Sequence, residues 1–218
     1  MAGDILTFTL LVFSSLIIIV NPLAATLIFV SLTANMDQAA KTRTAKDASR
    51  YALIILVVFA ILGGVILQLF GITLEAFRIA GGILLFLIGM EMVYARTSRT
   101  KLTDTEKYEG IEAEDVAITP LALPMIAGPG AITTTIVLIS EAGGNLGQDF
   151  IVIVAIIVAI ALTYLAMRNA DIIVKKIGQK EFRAINRLMG ILLLAIAVQF
   201  VIAGLITAFP VLSGGTVP

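Results

Sequence analysis

Apolar residues in this chain come in long blocks, not in the period-2 alternation of a half-buried strand. A hydrocarbon core about 30 Å thick needs roughly 20 apolar residues as a helix. Six stretches approach or exceed that length: 5–33, 51–70, 72–95, 116–139, 150–167 and 188–209. The pattern predicts an all-α membrane protein with six transmembrane helices. The first stretch is too long for one straight span, and its part before Asn21 is only about 24 Å long as a helix. One tilted, broken span fits it better than two complete ones.

Two proline breaks lie inside these blocks. Asn21-Pro22 interrupts the first, and Gly128-Pro129-Gly130 interrupts the fourth. A shift of 107 residues carries Pro22 onto Pro129, Ala24 onto Ala131 and Thr26 onto Thr133. Further along, a shift of 108 carries Gly82-Ile83-Leu84-Leu85 onto Gly190-Ile191-Leu192-Leu193, and Glu91 onto Gln199. Interrupted hydrophobic segments at matching positions in two halves point to the binding site of a transporter.

Lysine and arginine accumulate in cytoplasmic loops. The connections after spans 1, 3 and 5 hold 14 of the 15 basic residues, and those after spans 2 and 4 hold none. The remaining one, Arg78, lies at the outer end of span 3, three residues from Glu75, and the two read as an interfacial ion pair. Both termini are then expected outside the cell membrane. Three spans per half is an odd number, so the second half enters the membrane upside down. The expected organisation is an inverted 3+3 repeat with spans 1 and 4 broken near the midplane. It divides into a first repeat (1–95), a cytoplasmic linker (96–115) and a second repeat (116–218). The acid-rich linker reads as a solvated connector. Residues 171–183 mix isoleucines with lysines and are expected to lie along the inner interface. The N-terminus carries Asp4 in place of a basic leader and reads as the first span, not as a cleaved signal.

Composition narrows the chemistry. The chain is 59% hydrophobic and 14% charged, against roughly a quarter charged in a soluble domain. Its net charge is zero, and no basic footprint supports a nucleic-acid partner. Histidine and cysteine are absent. That removes thiol redox chemistry, thiolate metal sites, histidine-ligated haem and imidazole proton relays. No metal site, cofactor or enzymatic activity is expected.

Proline suits the first position of a helix, and asparagine just before it is a favoured N-cap. Asn21-Pro22 thus reads as the start of a new half-helix. Gly128-Pro129 makes the same start in span 4, with glycine free to end the preceding half. A half-helix start exposes N–H groups and a positive dipole end, while the half that stops exposes carbonyls. Two such breaks near the midplane offer donors to a carboxylate and acceptors to an ammonium. Ala24, Gly130 and Ala131 leave little bulk there, so the ligand should be small. Thr26 and Thr133 lie one turn past each proline. The candidate substrate-binding residues are Asn21, Pro22, Ala24, Thr26, Gly128, Pro129, Gly130 and Thr133. The competing reading is that the breaks are packing kinks, since proline and glycine are frequent in membrane helices.

Glu91 is the acid placed deep in a span, about 18 Å down span 3 from Ile79. An ionisable residue there is a functional hypothesis, as proton carrier or cation ligand; the alternative is an interfacial pair with Arg96. Gln199, its repeat mate, is a secondary candidate whose other role is interhelical hydrogen bonding.

At these residues the chain resembles the MarC family of six-span membrane proteins. The matches are Asn21-Pro22 with Phe29 and Leu32-Thr33; Pro120-Leu121-Ala122, Pro124 and Ala127-Gly128-Pro129-Gly130-Ala131-Ile132; and Gly81-Gly82-Ile83-Leu84-Leu85 with Gly89 and Glu91. Ala24 stands where the family pattern has glycine, and Leu27 where it has a second proline. The family includes SnatA-type small neutral amino acid transporters and is grouped with LysE-type exporters. The resemblance implies a secondary transporter of small neutral amino acids, glycine- or alanine-like, working by alternating access. With no nucleotide-binding P-loop in the sequence, the expected drive is a coupling ion, a proton by default or sodium. The expected partners are that amino acid, the ion and the lipid bilayer, with a homo-oligomer left open. The rivals are an exporter of other small metabolites on the same scaffold and a non-transporting membrane scaffold or regulator.

Overall fold

The computed structural model describes residues 2–94 and 117–209, all in helices or short connections with no strand among them. In chain order the helices are α1 (Ala2–Val20), α2 (Pro22–Leu32), α3 (Gln38–Leu69), α4 (Leu74–Tyr94), α5 (Ala117–Ile126, π-helical), α6 (Pro129–Ala142), α7 (Leu146–Arg168), α8 (Ala170–Ile177) and α9 (Gln179–Ala208). Among the described residues, five segments are long and apolar enough to cross a membrane: Ile5–Leu32, Gln38–Leu69, Leu74–Tyr94, Leu146–Arg168 and Ala184–Ala208. The fourth expected stretch, 116–139, is different in kind. It consists of α5 and α6, the latter 14 residues or about 21 Å, so neither piece crosses alone. The linker 96–115 lies outside the described residues.

Two basic connections expected as loops are largely helical. Lys41, Arg43, Lys46 and Arg50 occupy the first turns of α3, and Lys180, Arg183 and Arg187 those of α9. Asp37 starts α3 early, its carboxylate accepting from the Ala40 N–H at 2.7 Å. Thirty-two residues make α3 about 48 Å long, well beyond the hydrocarbon core.

The core does not split at the linker. One cluster joins Val12 and Leu16 of α1, Phe29 of α2 and Leu56 of α3 to Leu121 of α5, Leu138 of α6 and Ile156 of α7. Along α3 the buried positions are Ala45, Ala48, Ala52, Leu56, Ala60, Gly63 and Leu67, with the polar Thr44 and Ser49 beside them. That three-and-four spacing puts small residues on one face, where neighbouring backbones approach closely. The opposite face exposes Ile54, Val58, Ile61 and Val65, as a lipid-facing surface should.

A second, smaller cluster centres on Leu85, Leu193 and Ala197 and belongs to α4 and α9. These two helices run antiparallel in very close contact. A Cβ on Gly82 would lie 2.8 Å from the Ala197 carbonyl oxygen, and one on Gly89 would lie 3.1 Å from that of Gly190. A Cβ on Gly204 would lie 3.0 Å from the Glu75 carbonyl oxygen. Gly82 and Gly89 are seven apart, as are Gly190, Ala197 and Gly204. A seven-residue repeat of small side chains keeps one seam facing the partner helix along its length.

Two ion pairs tie the ends of the bundle. Lys41 Nζ lies 3.6 Å from Asp171 Oδ1, bringing the start of α3 to the start of α8. Arg78 Nη2 donates to Glu141 Oε1 at 3.0 Å, bringing the start of α4 to the end of α6. This corrects the expected Glu75–Arg78 pairing. Arg78 is only 11% exposed and reaches across to another helix, because a cation buried against α6 needs a carboxylate there.

Candidate functional site

The first break is a single residue. Asn21 sits at φ 49° and ψ 73°, the only non-glycine with positive φ among the described residues. Asparagine tolerates the left-handed region better than other L-residues because its short amide bonds locally. Here it does: its side-chain oxygen accepts from the Ala24 N–H at 3.1 Å. The Asn21 N–H still donates to the Ile17 carbonyl at 3.0 Å, so one residue ends α1 and caps α2. Pro22 has no N–H to give the Ile18 carbonyl, and the Ala24 N–H is diverted from the Val20 carbonyl to the cap. The last turn of α1 therefore ends in carbonyls that the continuing chain does not serve. Asn21 is buried, and its amide nitrogen points to Met92 Sδ on α4 at 3.8 Å.

The second break is built differently. Prolines at 120 and 124 withdraw two N–H donors from α5, and the segment widens to π-helical spacing, with the Ala127 N–H donating to the Ala122 carbonyl at 2.9 Å. π-helical turns recur at functional sites. Gly128 then takes φ −71°, ψ 169° and gives no side-chain cap. That is extended backbone open to any residue, so the role expected of Gly128, ending the preceding half, draws on no conformation special to glycine. Pro129 opens α6, and the Ile132 N–H returns to the Gly128 carbonyl at 3.0 Å. The N–H groups of Gly130 and Ala131 are left at the uncapped end.

The structure brings the two breaks side by side. A Cβ on Gly130 would lie 3.8 Å from Ile19 Cγ2 of α1 and would collide with Leu85 of α4. Gly130 is thus a close-approach glycine, and the small bulk expected to leave a cavity is filled by Leu85. Thr133, fully packed, occupies the space of a Cβ on Gly81 of α4. The Thr26 hydroxyl is spent on its own helix, donating to the Pro22 carbonyl at 2.7 Å. Ala24 and Pro22 are half-buried beside the cap.

Glu91 is half-buried on α4, next to the Met92 that meets Asn21. Its alternative partner, Arg96, lies outside the described residues. Gln199 is exposed on α9, away from both breaks. An open cleft of about 180 Å³ between α4 and α9 is lined by Ile83, Phe86, Ala197, Val198, Val201 and Ile202. With no polar group it has nothing to offer a zwitterion. No group of three or more potential metal ligands occurs among the described residues.

Leu85 lies against Gly130 at the second break and Met92 against Asn21 at the first, and sequence reasoning did not single them out. Nothing local distinguishes a leucine or methionine that reaches another helix from one that meets lipid. The repeat offset marks Leu85 only as the mate of Leu193.

Long apolar helices, a shared small-residue core and a lipid-compatible exterior define an integral, multi-pass membrane protein. A model described as the MarC family integral membrane protein matches residues 6–209, and the chain belongs to that family. It is similar to a UPF0056 membrane protein of Methanocaldococcus jannaschii, 40% identical over 92% of this chain and 97% of that protein. It is 38% identical to the UPF0056 membrane protein YhcE of Escherichia coli, over 91% of this chain and 92% of the relative. With YvbG of Bacillus subtilis the identity is 36%, over 95% of this chain and 98% of that protein. No solved structure matches the chain.

Proposed function

We propose that this protein is a secondary-active transporter of small neutral amino acids such as glycine and alanine, working by alternating access. The observation that carries the reading is the pair of helix breaks held side by side inside a multi-pass membrane protein. Non-helical backbone at membrane depth survives only where protein or a water-filled cavity covers it. Broken helices meeting at the midplane are how many transporters present backbone donors and acceptors to substrate and ion.

The six-span inverted repeat belongs to the same proposal, and two features support it. The ion pairs put the connection after span 1 beside the one after span 5, and the start of span 3 beside the end of span 4. That grouping of the connections on two ends supports the sidedness proposed from the lysine and arginine distribution, in which both termini face outside the cell membrane. The α4–α9 seam also obeys the repeat. A shift of 108 turns the contact of Gly82 with Ala197 into the contact of Gly190 with Gly89. A seam that maps onto itself is what a two-fold axis through an antiparallel pair requires.

Alternating access then has natural moving parts. The α4–α9 pair has its own apolar cluster and meets the remaining core through Leu85 on Gly130, Gly81 on Thr133 and Met92 on Asn21. Rocking this pair uncovers the breaks from one side at a time. Glu91, next to Met92 and half-buried on α4, is the proposed carrier of the coupling ion, a proton by choice with sodium the alternative.

The test is flux into proteoliposomes. Radiolabelled glycine should accumulate under an imposed proton gradient, and Glu91→Gln should abolish accumulation while leaving exchange. A panel of neutral amino acids that never accumulates, under proton or sodium gradients, refutes the transporter reading. It would favour export of other small metabolites or a non-transporting scaffold or regulator. Accumulation that survives Glu91→Gln removes Glu91 from coupling.

A further inference from the structure

Helical serine and threonine hydroxyls in this protein follow a habit, and among the described residues three buried ones, Ser49 of α3 and the adjacent Thr134 and Thr135 of α6, break it. Thr9, Ser14, Thr26, Thr33, Thr42, Thr163 and Thr207 each donate to the carbonyl four residues back, at 2.7–2.9 Å. This is the usual resort of a hydroxyl in an apolar helix. Thr134 and Thr135 of α6 are fully buried, yet their hydroxyl oxygens have no hydrogen-bond partner. A buried polar group left unpaired costs stability and calls for an explanation such as a bound water, ion or ligand. The other unpartnered buried atoms belong to Ser49, Arg78, Asp149 and Asn186, on other helices.

The location of the pair supplies the explanation. Thr134 lies four residues after Gly130 and Thr135 four after Ala131, on the same faces of the helix. Gly130 and Ala131 carry the N–H groups left at the uncapped start of α6. Helical side chains lean back towards the N-terminus, so both threonine side chains start one turn above those donors and lean towards them. The face of Gly130 also meets Ile19, in the last turn of α1, where carbonyls lose their helical partners. The repeat does not demand these hydroxyls, because a shift of 107 sets Leu27 and Ile28 in their place.

We infer that Thr134 and Thr135, with the N–H groups of Gly130 and Ala131, form the cradle for the charged head of the substrate amino acid at the start of α6. The inference rests on the transporter reading above. It moves the hydroxyl contribution from Thr26 and Thr133, which are spent on packing or on their own helix, to their unspent neighbours. The N–H groups and the positive end of α6 take the carboxylate. The two hydroxyls donate to the carboxylate or accept from the ammonium. In the present structure Leu85 closes the space over Gly130, so the cradle fills when α4 withdraws.

Thr134→Val keeps the side chain's shape and removes only the oxygen, and Thr134→Ser keeps the oxygen and removes a methyl. Glycine and L-alanine binding to detergent-purified protein would be measured by calorimetry, alongside the unfolding midpoint of the ligand-free protein. Thr134→Val should weaken glycine binding by roughly tenfold or more, the worth of a hydrogen bond to a charged group. Its ligand-free midpoint should stay level or rise, because an unpaired buried hydroxyl is gone. Thr134→Ser should bind within a few-fold of wild type. Wild-type affinity in Thr134→Val overturns the assignment alone, as does equal loss in the serine variant. A lowered midpoint with intact binding overturns it too, by revealing a structural partner. A wild-type protein that binds neither amino acid overturns the transporter reading and this assignment together.

Discussion

Gly82→Ala should loosen the α4–α9 seam measurably, and Gly64→Ala should do the opposite. A Cβ on Gly82 would stand 2.8 Å from the Ala197 carbonyl oxygen, 2.8 Å from Val201 Cγ2 and 3.1 Å from Phe200 Cβ. The first neighbour is backbone and cannot rotate away. Carbon–oxygen contacts of this kind settle at about 3.3–3.6 Å, so the helices must part by roughly half an ångström. A gap that size forfeits about a quarter of each contact's attraction, at about 0.1–0.2 kcal/mol per atom pair. Over the few dozen pairs of a close helix seam the loss is about 1–2 kcal/mol, in the usual range for overpacking. Alanine's helix propensity returns up to about 1 kcal/mol, leaving a net loss of about 1 kcal/mol or less at Gly82. At Gly64 nothing lies within 4 Å of the added methyl, so only the propensity gain of up to about 1 kcal/mol remains. The chain has neither tryptophan nor cysteine, so unfolding is best followed by circular dichroism in mixed micelles. Two variants that shift stability in the same direction would refute the close-seam reasoning.

Three further outcomes are expected. Asn21→Gly should be tolerated far better than Asn21→Ala: glycine keeps the left-handed backbone at a few tenths of a kcal/mol, whereas alanine loses the cap, about 1 kcal/mol, and adds left-handed strain of about 1–2 kcal/mol; equal midpoints would contradict the capping geometry. The partly exposed Arg78–Glu141 pair should show a coupling of about 0.5–1 kcal/mol in a double-mutant cycle with glutamine, while Glu75→Gln leaves Arg78 unaffected; coupling of Arg78 to Glu75 instead would refute the cross-helix contact. Cysteines introduced at Ile72 and Leu146 should label from outside intact cells and one at Thr105 only after the inner face is opened; inside labelling at Leu146 would sink the inverted repeat.

The sequence by itself determined the membrane-spanning blocks, the positions of the two breaks and their family. Length and apolarity are local properties, and Asn-Pro and Gly-Pro-Gly act on the backbone within a turn. It also determined the 107-to-108-residue correspondence, because a repeat is a relation between residues and not between contacts. Only the tertiary structure decided what each break residue does. Gly130 was chosen for lack of bulk, but whether that space is a cavity or is filled by Leu85 depends on where α4 packs. Gly128 was read as free, being glycine, to end the preceding half, yet it follows a π-helical segment and its backbone is extended. Arg78 had a carboxylate three residues away and took one from α6, because burial against that helix sets the partner. Thr133 and Thr134 are adjacent and chemically identical in the sequence; a rotation of 100° about the helix axis packs one against α4 and leaves the other's hydroxyl unpaired in the core. Local chemistry fixes where a chain bends, and the packing of distant helices fixes which atoms then remain free.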